Sequence, residues 1–515
     1  MLLLCAAVIL YLLTAGWNLG GQTIANPDEP RFAVAARTML RSGDWIVPQF
    51  NGKERTKKPI LFYWVIAAAG RAGEALGLRL DTGMRAGPVF MGLLAVIATF
   101  LIAARLMRTP QAGFVAAVVL MTCNEFHKVS REIVIDMTLT AFLTWSWYFV
   151  LVALGRIAQN ASRFLPLLGF YICLGLACMT KGPLPVAGFV VLPLVVYLFL
   201  TQQPKALARA GIWWGAPLSL ALGFWWFYVL NKTGHGEGVS EFFVVENFKR
   251  IMGEKDHIHR WPWAYYFTVL WEGFAPWILA LPFLLWWTWK NLNDGIRNAT
   301  EPVKFVFSAL GAAFLIVGLS QSKRMLYLLP LFPPFAVWVA WLWQTAIAPF
   351  ATRKNISWAA LGMALAGALI YEIFVTRARE EADWRPQFFK DVEDQLRGRR
   401  LVTTGESANE AIWYLDRTDP ILNLTNPALE SEFFNSPGTV LLLKEVDSGK
   451  KSKQKDPKRS EFEQKLREAL VIEYEHRRAD GMYYLATPKP GYPPDRDIFK
   501  PRHAETRQDT DSGDE

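Results

Sequence analysis

From Met1 to about Ile373 the chain alternates long apolar blocks with short polar breaks, and beyond that point the alternation stops. Apolar segments fall near 1–17, 83–107, 111–126, 135–155, 163–180, 183–200, 211–230, 263–289, 303–320, 325–346 and 356–375. Each comes close to the ~20 helical residues that cross a ~30 Å hydrocarbon layer. The pattern therefore predicts an all-α polytopic domain of about eleven spans over residues 1–375. Met1–Trp17 has no basic start and no small-residue cleavage site before Asn26, so it reads as an uncleaved first span.

From about Thr376 the period shortens. Leu401–Thr404, Thr439–Lys444, Val471–Tyr474 and Met482–Ala486 read as strands, and Ala408–Leu415 and Glu461–Leu470 as helices. Residues 376–490 are thus expected to form a soluble α/β domain. The charged stretch Ser448–Ser460 reads as a loop, and 491–515 lacks an apolar period and reads as a disordered tail.

The polar breaks give an orientation. Arg105–Gln111, Arg156–Arg163, Thr201–Ala210, Lys290–Lys304 and Thr352–Asn355 share one side and carry Lys or Arg with few acids, which marks that side as cytoplasmic. Gly20–Thr82, His127–Val134, Thr180–Gly182, Asn231–Pro262, Ser320–Arg324 and the α/β domain then lie outside. These outer segments are basic too, and an excess of cations on a translocated face suits the binding of an anion there.

Composition sharpens the class. The 515 residues are 52% hydrophobic and include 22 Trp and 34 Phe, too apolar and aromatic for an ordinary soluble domain. The net charge of +9 is not gathered into a tract that could follow a phosphodiester backbone, so nucleic acid is not an expected partner; lipid headgroups are. Cys5, Cys123, Cys173 and Cys178 lie within or beside apolar segments without metal-knuckle spacing.

The first outer loop carries the most chemistry. Within NPDEPRFAVAARTMLRSGDWIVPQFNGKERTKKPILFY (Asn26–Tyr63), Phe32, Ala35, Ala36, Met39 and Leu40 form one apolar stripe, predicting an interfacial helix closed by Ser42-Gly43. Asp28 and Glu29 at its start fit two roles. They can cap the helix beside Pro30, or one of them can serve as general base on a hydroxyl. Arg55, Lys57 and Lys58 precede Pro59 and an aromatic run; they can hold lipid headgroups, or Lys58 can meet the phosphate of a lipid-linked donor.

Other outer edges repeat the theme. Asp136 opens an apolar segment and either pairs with Arg131 or reacts. Lys181 is wedged between two apolar blocks, as a helix-end anchor or as an anion ligand. Lys323 and Arg324 occupy a short outer turn. His259, in EKDHIHRWPWAYYF, has His257, Asp256 and Glu254 nearby, so a divalent cation stays open beside simple solvation of a polar loop. All these residues are expected on one face. Acids and cations there suit transfer from a phosphorylated donor, the cations stabilising the departing phosphate and an acid deprotonating the acceptor. The rival class, a transporter or flippase of a lipid-linked anion, needs ionisable groups near the bilayer midplane, and the apolar blocks are nearly free of charge at their centres.

With these residues in hand, the chain resembles the polytopic glycosyltransferases that include the lipid A aminoarabinose transferase and the protein O-mannosyltransferases, the GT-C architecture. The resemblance is carried by DEPRFAVAARTMLRSGDWIVPQFNG with the following KKP, by TKGPLP, HRWPWAYY and SKRMLYLLPLFPP. It implies an integral membrane enzyme, in a bacterial inner membrane with its site on the periplasmic face. Such an enzyme moves a sugar with inversion from a polyprenyl phosphate to a hydroxyl of a lipid, glycan or protein. By position it implies that Asp28 is the base, Asp136 a second outer-loop acid, Lys58 a donor-phosphate ligand and His259 an acceptor- or metal-assisting group. Where relatives often have Glu before the Lys of that element, this chain has Lys57, which puts a metal role in doubt.

Overall fold

A computed structural model describes residues 1–24, 28–236, 265–292, 295–319, 323–371, 385–403, 407–416, 421–423, 439–446, 468–478 and 481–489, with a few single positions besides. The chain divides into two compact units. Met1–Gln22, Ala35–Gln49 and Glu54–Glu381 form a membrane unit; Thr23–Val34, Phe50–Lys53 and Ala382–Glu515 form an α/β unit.

In the membrane unit every apolar block has a helical counterpart. They are α1 (Leu2–Ala15), α4 (Leu80–Met107), α5 (Pro110–Thr122), α7 (Asp136–Ala158), α8 (Phe164–Lys181), α9 (Pro183–Leu200) and α10 (Ile212–Lys232). Then follow the broken pair α11 (Tyr265–Gly273) and α12 (Trp277–Lys290) and a helix continued through Glu301–Val306, Phe307–Ala312 and Ala313–Leu319 (α13). α14 (Met325–Ile347) and α15 (Ala351–Ile370) complete the set. Among the described residues, six helices are long and apolar enough to cross a membrane, seven if the broken pair counts as one span. Large apolar side chains such as Leu165, Trp213, Leu279 and Trp289 are more than two-thirds exposed, as a surface facing hydrocarbon requires. This is an integral membrane protein.

The predicted span at 263–289 is not straight. Its two halves meet at 112°. Pro276 has no amide hydrogen to continue the helix, and the Ala275 carbonyl accepts from the Asn124 amide at 3.0 Å. That bond turns the break towards α6 (Asn124–Val129), a short helix just past the end of α5.

α4 is the hub, packing against α1, α3 (Leu61–Ala75), α5 and α7. α3 was not anticipated from sequence: its apolar run carries Arg71 and Glu74 and is too short to span. It lies close against α4 because glycines face each other. A Cβ built on Gly73 would sit 2.6 Å from the Gly83 Cα, so only hydrogen fits.

The interfacial helix α2 (Glu29–Ser42) forms as expected and ends before Gly43, which takes φ +74°. After it, Asn51 (φ 55°) and Gly52 (φ 71°) turn the strands β1 (Gln49–Phe50) and β2 (Lys53–Glu54) into a hairpin, the Asn-Gly pair supplying two left-handed positions.

The α/β unit has a five-stranded sheet in the order β4 (Leu422–Asn423), β3 (Leu401–Thr403), β5 (Val440–Val446), β7 (Gly481–Pro488), β6 (Leu470–Arg478). β3 pairs parallel with β4 and β5, while β7 runs antiparallel to β5 and β6. Helices α16 (Arg385–Leu396) and α17 (Ser407–Tyr414) bury Phe388, Phe389, Val392, Ala411 and Ile412 with Leu401, Val440 and Leu442. The four predicted strands and the helix near 408–415 form. Of the predicted helix Glu461–Leu470, Leu470 instead opens β6, where it pairs with Pro488; residues 461–467 lie outside the described set.

Candidate functional site

The clearest constellation in the membrane unit follows from helix direction. α7 and α8 are joined by a short turn at 159–163 and pack side by side, so they run antiparallel. The first residue of α7 and the last of α8 therefore share one end. Those residues are Asp136 and Lys181. An acid in a first turn and a cation in a last turn each complement their own helix dipole. Here they also form a charge-assisted hydrogen bond, from Lys181 Nζ to Asp136 Oδ1. Asp136 is buried and Lys181 nearly so.

A third element closes the cluster. The first turn of α14 places Lys181 Nζ 4.8 Å from the centre of the Tyr327 ring, a cation–π contact. Immediately before α14, Lys323 is buried and Arg324 half-buried. Asp136 thus pairs with Lys181 and not with Arg131, the partner weighed from sequence. Arg131 is buried elsewhere and donates to the Thr14 carbonyl at 3.3 Å; the buried Arg85 donates to the Arg131 carbonyl at 2.7 Å.

Beside this cluster, α6 holds a carboxylate that the sequence reading passed over. Glu125 is 2% exposed, with Lys128 Nζ 3.6 Å away. Burial pushes its carboxyl above the usual value against the pull of Lys128, and Glu272 and Asp136 add repulsion. Its signal was an acid at the rim of an apolar block, hidden because the predicted segment 111–126 absorbed it. An apolar cavity of about 810 Å³ opens nearby, lined by Thr122, Asn124, His127, Trp277, Met363 and Tyr371 among others.

Lys57 and Lys58 enter the membrane unit behind a clamped loop. Asp44 Oδ1 accepts from the Ile46 and Val47 amides (2.8 and 3.1 Å), closing an Asx turn. Trp64 and Trp226 donate their indole hydrogens to the Trp45 and Ile46 carbonyls at 2.7 and 2.8 Å. The chain then passes Arg55, whose amide bonds the Pro48 carbonyl at 2.7 Å, to an exposed Lys57 and a half-buried Lys58 just ahead of α3.

Asp28 and Glu29 belong to the α/β unit. Asp28 sits at the cap of α2, its carbonyl accepting from the Phe32 amide at 3.3 Å; Pro30 follows one residue into the helix, where a missing amide hydrogen is harmless. Its carboxylate accepts from Arg31 Nη1 at 3.4 Å and stays about a quarter exposed, while Glu29 is buried. The exposed acid is the one with access to a reactant. His259 lies outside the described residues. Among the described residues no three His, Cys, Asp or Glu side chains are grouped to hold a metal ion.

The chain is similar to several known proteins. The family model for dolichyl-phosphate-mannose-protein mannosyltransferases matches residues 1–233. ArnT from Cupriavidus metallidurans, in a crystal structure bound to undecaprenyl phosphate, superposes with a TM-score of 0.70 at 18% identity, over 94% of this chain and 97% of that one. The archaeal oligosaccharyltransferase AglB from Archaeoglobus fulgidus gives 0.53 at 12% identity, over 86% of this chain and 69% of its own. The fold is that of the polytopic GT-C glycosyltransferases. In sequence the chain is similar to aminoarabinose transferases. The undecaprenyl phosphate-alpha-4-amino-4-deoxy-L-arabinose arabinosyl transferase of Edwardsiella ictaluri is 30% identical over 342 residues, 64% of this chain and 58% of that protein. An uncharacterized protein of Aquifex aeolicus is 28% identical over 342 residues, 65% and 62% respectively. The matched part thus spans about three-fifths of the length of these relatives.

Proposed function

We propose that this protein is a membrane glycosyltransferase that moves a sugar from a polyprenyl-phosphate donor to an acceptor hydroxyl at the outer, periplasmic face of a bacterial inner membrane. The observation that carries the reading is the Asp136–Lys181–Tyr327 cluster at one end of the helix bundle, next to Lys323 and Arg324. A largely shielded cation held by a carboxylate and an aromatic face is kept in place without a ligand and is ready to stabilise an anion. The relatives named for undecaprenyl-phosphate sugar chemistry support the donor class.

The acceptor oxygen attacks the anomeric carbon as the bond from that carbon to the phosphate oxygen breaks, inverting the centre. Asp28 takes the acceptor proton, and polyprenyl phosphate departs with its negative charge. Lys58, Lys181 and Lys323, with Lys57 and Arg324 near them in sequence, neutralise that charge, and Asp136 keeps Lys181 in position. His259 assists the acceptor. The apolar cavity beside α6 is suited to hydrocarbon. These roles require no divalent cation, and Lys57 in the place of a carboxylate supports that reading.

Asp28→Asn tests the assignment. The amide keeps the shape and the cap but cannot accept the proton, so transfer from a labelled polyprenyl-phosphate sugar should fall by ~10²–10⁴-fold with expression and melting unchanged. Unaltered transfer in this variant would remove Asp28 from the chemistry.

A further inference from the structure

Arg31 is held from both sides within the α/β unit. Its Nη1 donates to Asp28 Oδ1 at 3.4 Å. Its other edge faces Asn409 on α17, a residue only 6% exposed. With the Asn409 amide turned so that its oxygen meets the guanidinium, that oxygen accepts from Nε at 3.1 Å and Nη2 at 3.2 Å. One buried acceptor therefore fixes the plane of a guanidinium whose far end touches the proposed base.

The same helix fastens the chain on either side of that contact. The Ile24 amide donates to the Tyr414 hydroxyl at 3.1 Å, and that hydroxyl donates to the Ile24 carbonyl at 3.2 Å. Burial raises the Tyr414 phenol, keeping it protonated for both bonds. Glu410 forms an ion pair with Arg385, Oε1 lying 3.2 Å from Nε; Arg385 Nη1 donates to Asp383 at 3.0 Å, and Asp383 also accepts from the Thr23 hydroxyl. At the far end, Val34 is buried among Phe388, Phe389 and Val392. The hairpin tip adds a further tie: the Asn51 side chain exchanges two 2.7 Å hydrogen bonds with the Ile421 backbone, as a neighbouring strand would.

We propose that Asn409 is a positioning residue for Asp28, acting through Arg31. This rests on the assignment of Asp28 as the acceptor base. An arginine side chain has many rotamers to lose, and a two-point bond to a buried amide removes most of that freedom before any substrate arrives. Asn is well suited because one side-chain oxygen can accept from two guanidinium hydrogens at once. Reaction geometry is sensitive to displacements of about 1 Å, so losing this hold affects turnover more than donor binding.

Two variants of the full-length protein decide it. Asn409→Leu removes the acceptor at similar volume; Asn409→Asp keeps an oxygen facing both Arg31 hydrogens. For Asn409→Leu we expect kcat to drop by roughly 10- to 100-fold with an unchanged KM for the donor, and Asn409→Asp to restore most of the rate. An arm that needs no substrate accompanies this: water-soluble carbodiimide labelling of Asp28, followed by mass spectrometry. Labelling should quicken in Asn409→Leu and match the parent in Asn409→Asp. Parental kcat and parental labelling in Asn409→Leu would overturn the proposal. So would equal losses in both variants accompanied by lowered melting, which would mark Asn409 as packing alone. If the parent protein itself transfers no sugar, the proposed function fails, and the labelling arm still decides whether Asn409 governs Asp28.

Discussion

Replacing Lys181 by methionine leaves Asp136 buried beside an apolar chain, and replacing Asp136 by asparagine leaves Lys181 without its acceptor. Breaking one half of a buried ion pair costs about 3–5 kcal/mol. The Lys181 side chain is 17% exposed and that of Asp136 only 6%, so water reaches the cation more easily than the acid. Lys181→Met should therefore lie towards the upper end of that range and Asp136→Asn towards the lower. Removing both charges together leaves no orphan, and the Asp136→Asn/Lys181→Met double variant is expected to melt within about 1 kcal/mol of the parent. The coupling energy of the cycle is then about 5 kcal/mol or more. Transfer should behave differently. If Lys181 serves the departing phosphate, both Lys181→Met and the double variant stay inactive although the double has recovered its stability. Thermal unfolding in detergent and label transfer from a polyprenyl-phosphate sugar, measured on the same four preparations, separate the two effects. Recovery of transfer in the double variant would reduce the pair to a structural bridge. Parental melting in both single variants would deny that the pair forms.

Tyr327→Leu removes the ring over which Lys181 rests, worth ~0.5–2 kcal/mol, so the donor KM should rise by roughly 2- to 30-fold while Tyr327→Phe stays near the parent. Gly73→Ala would set a methyl 2.6 Å from the Gly83 Cα; in place of the ~1 kcal/mol that alanine normally adds to a helix, a loss of about 1–3 kcal/mol in unfolding experiments is expected. Gly362→Ala, with nothing within 4 Å of the added carbon, is the control and should not destabilise. In the α/β unit, Arg399 donates to both oxygens of Glu473 at 2.7 and 2.9 Å and, helped by Thr487, holds its carboxyl below the ordinary value. Because the folded pKa is the depressed one, this contribution is full above the unfolded carboxyl value of about 4.3 and fades as the pH falls through the folded value. Glu473→Gln should flatten that acid limb in pH-dependent melting; an identical limb in the variant would place its origin elsewhere.

The layout of the membrane unit was legible because hydrocarbon thickness sets one length for every span, and eleven apolar blocks of that length each became helical. What that criterion cannot register is direction. Mean hydropathy is indifferent to the 112° break at Pro276, and the amphipathic α3 falls below the length that marks a span. Asp136 and Lys181 were both singled out as charges at helix ends, yet the sequence offered Arg131 as the nearer partner. Only the antiparallel α7–α8 hairpin brings together two residues 45 positions apart. The helix beginning at Asp28 was readable from its apolar stripe and proline. Its attachment to α17 through Arg31 and Asn409 was not, since side-chain hydrogen bonds across such sequence distances leave no period. Glu125 was lost for a simpler reason. Cys123, with extended backbone at φ −65° and ψ 127°, separates α5 from α6, so a residue counted inside a span stands beyond its end.

Breaking the bond between a sugar and a polyprenyl phosphate is the activity proposed for this protein. The most direct measurement is incubation of the purified full-length protein, in lipid nanodiscs, with a panel of polyprenyl phosphates carrying differently labelled sugars, with and without lipid and peptide acceptors. The account predicts that at least one donor loses its label to an acceptor or to water, releasing free polyprenyl phosphate, and that Asp28→Asn does not catalyse the release. Tight binding of these donors with no label released under any condition, together with their movement between leaflets, would contradict it and favour a carrier of lipid-linked anions.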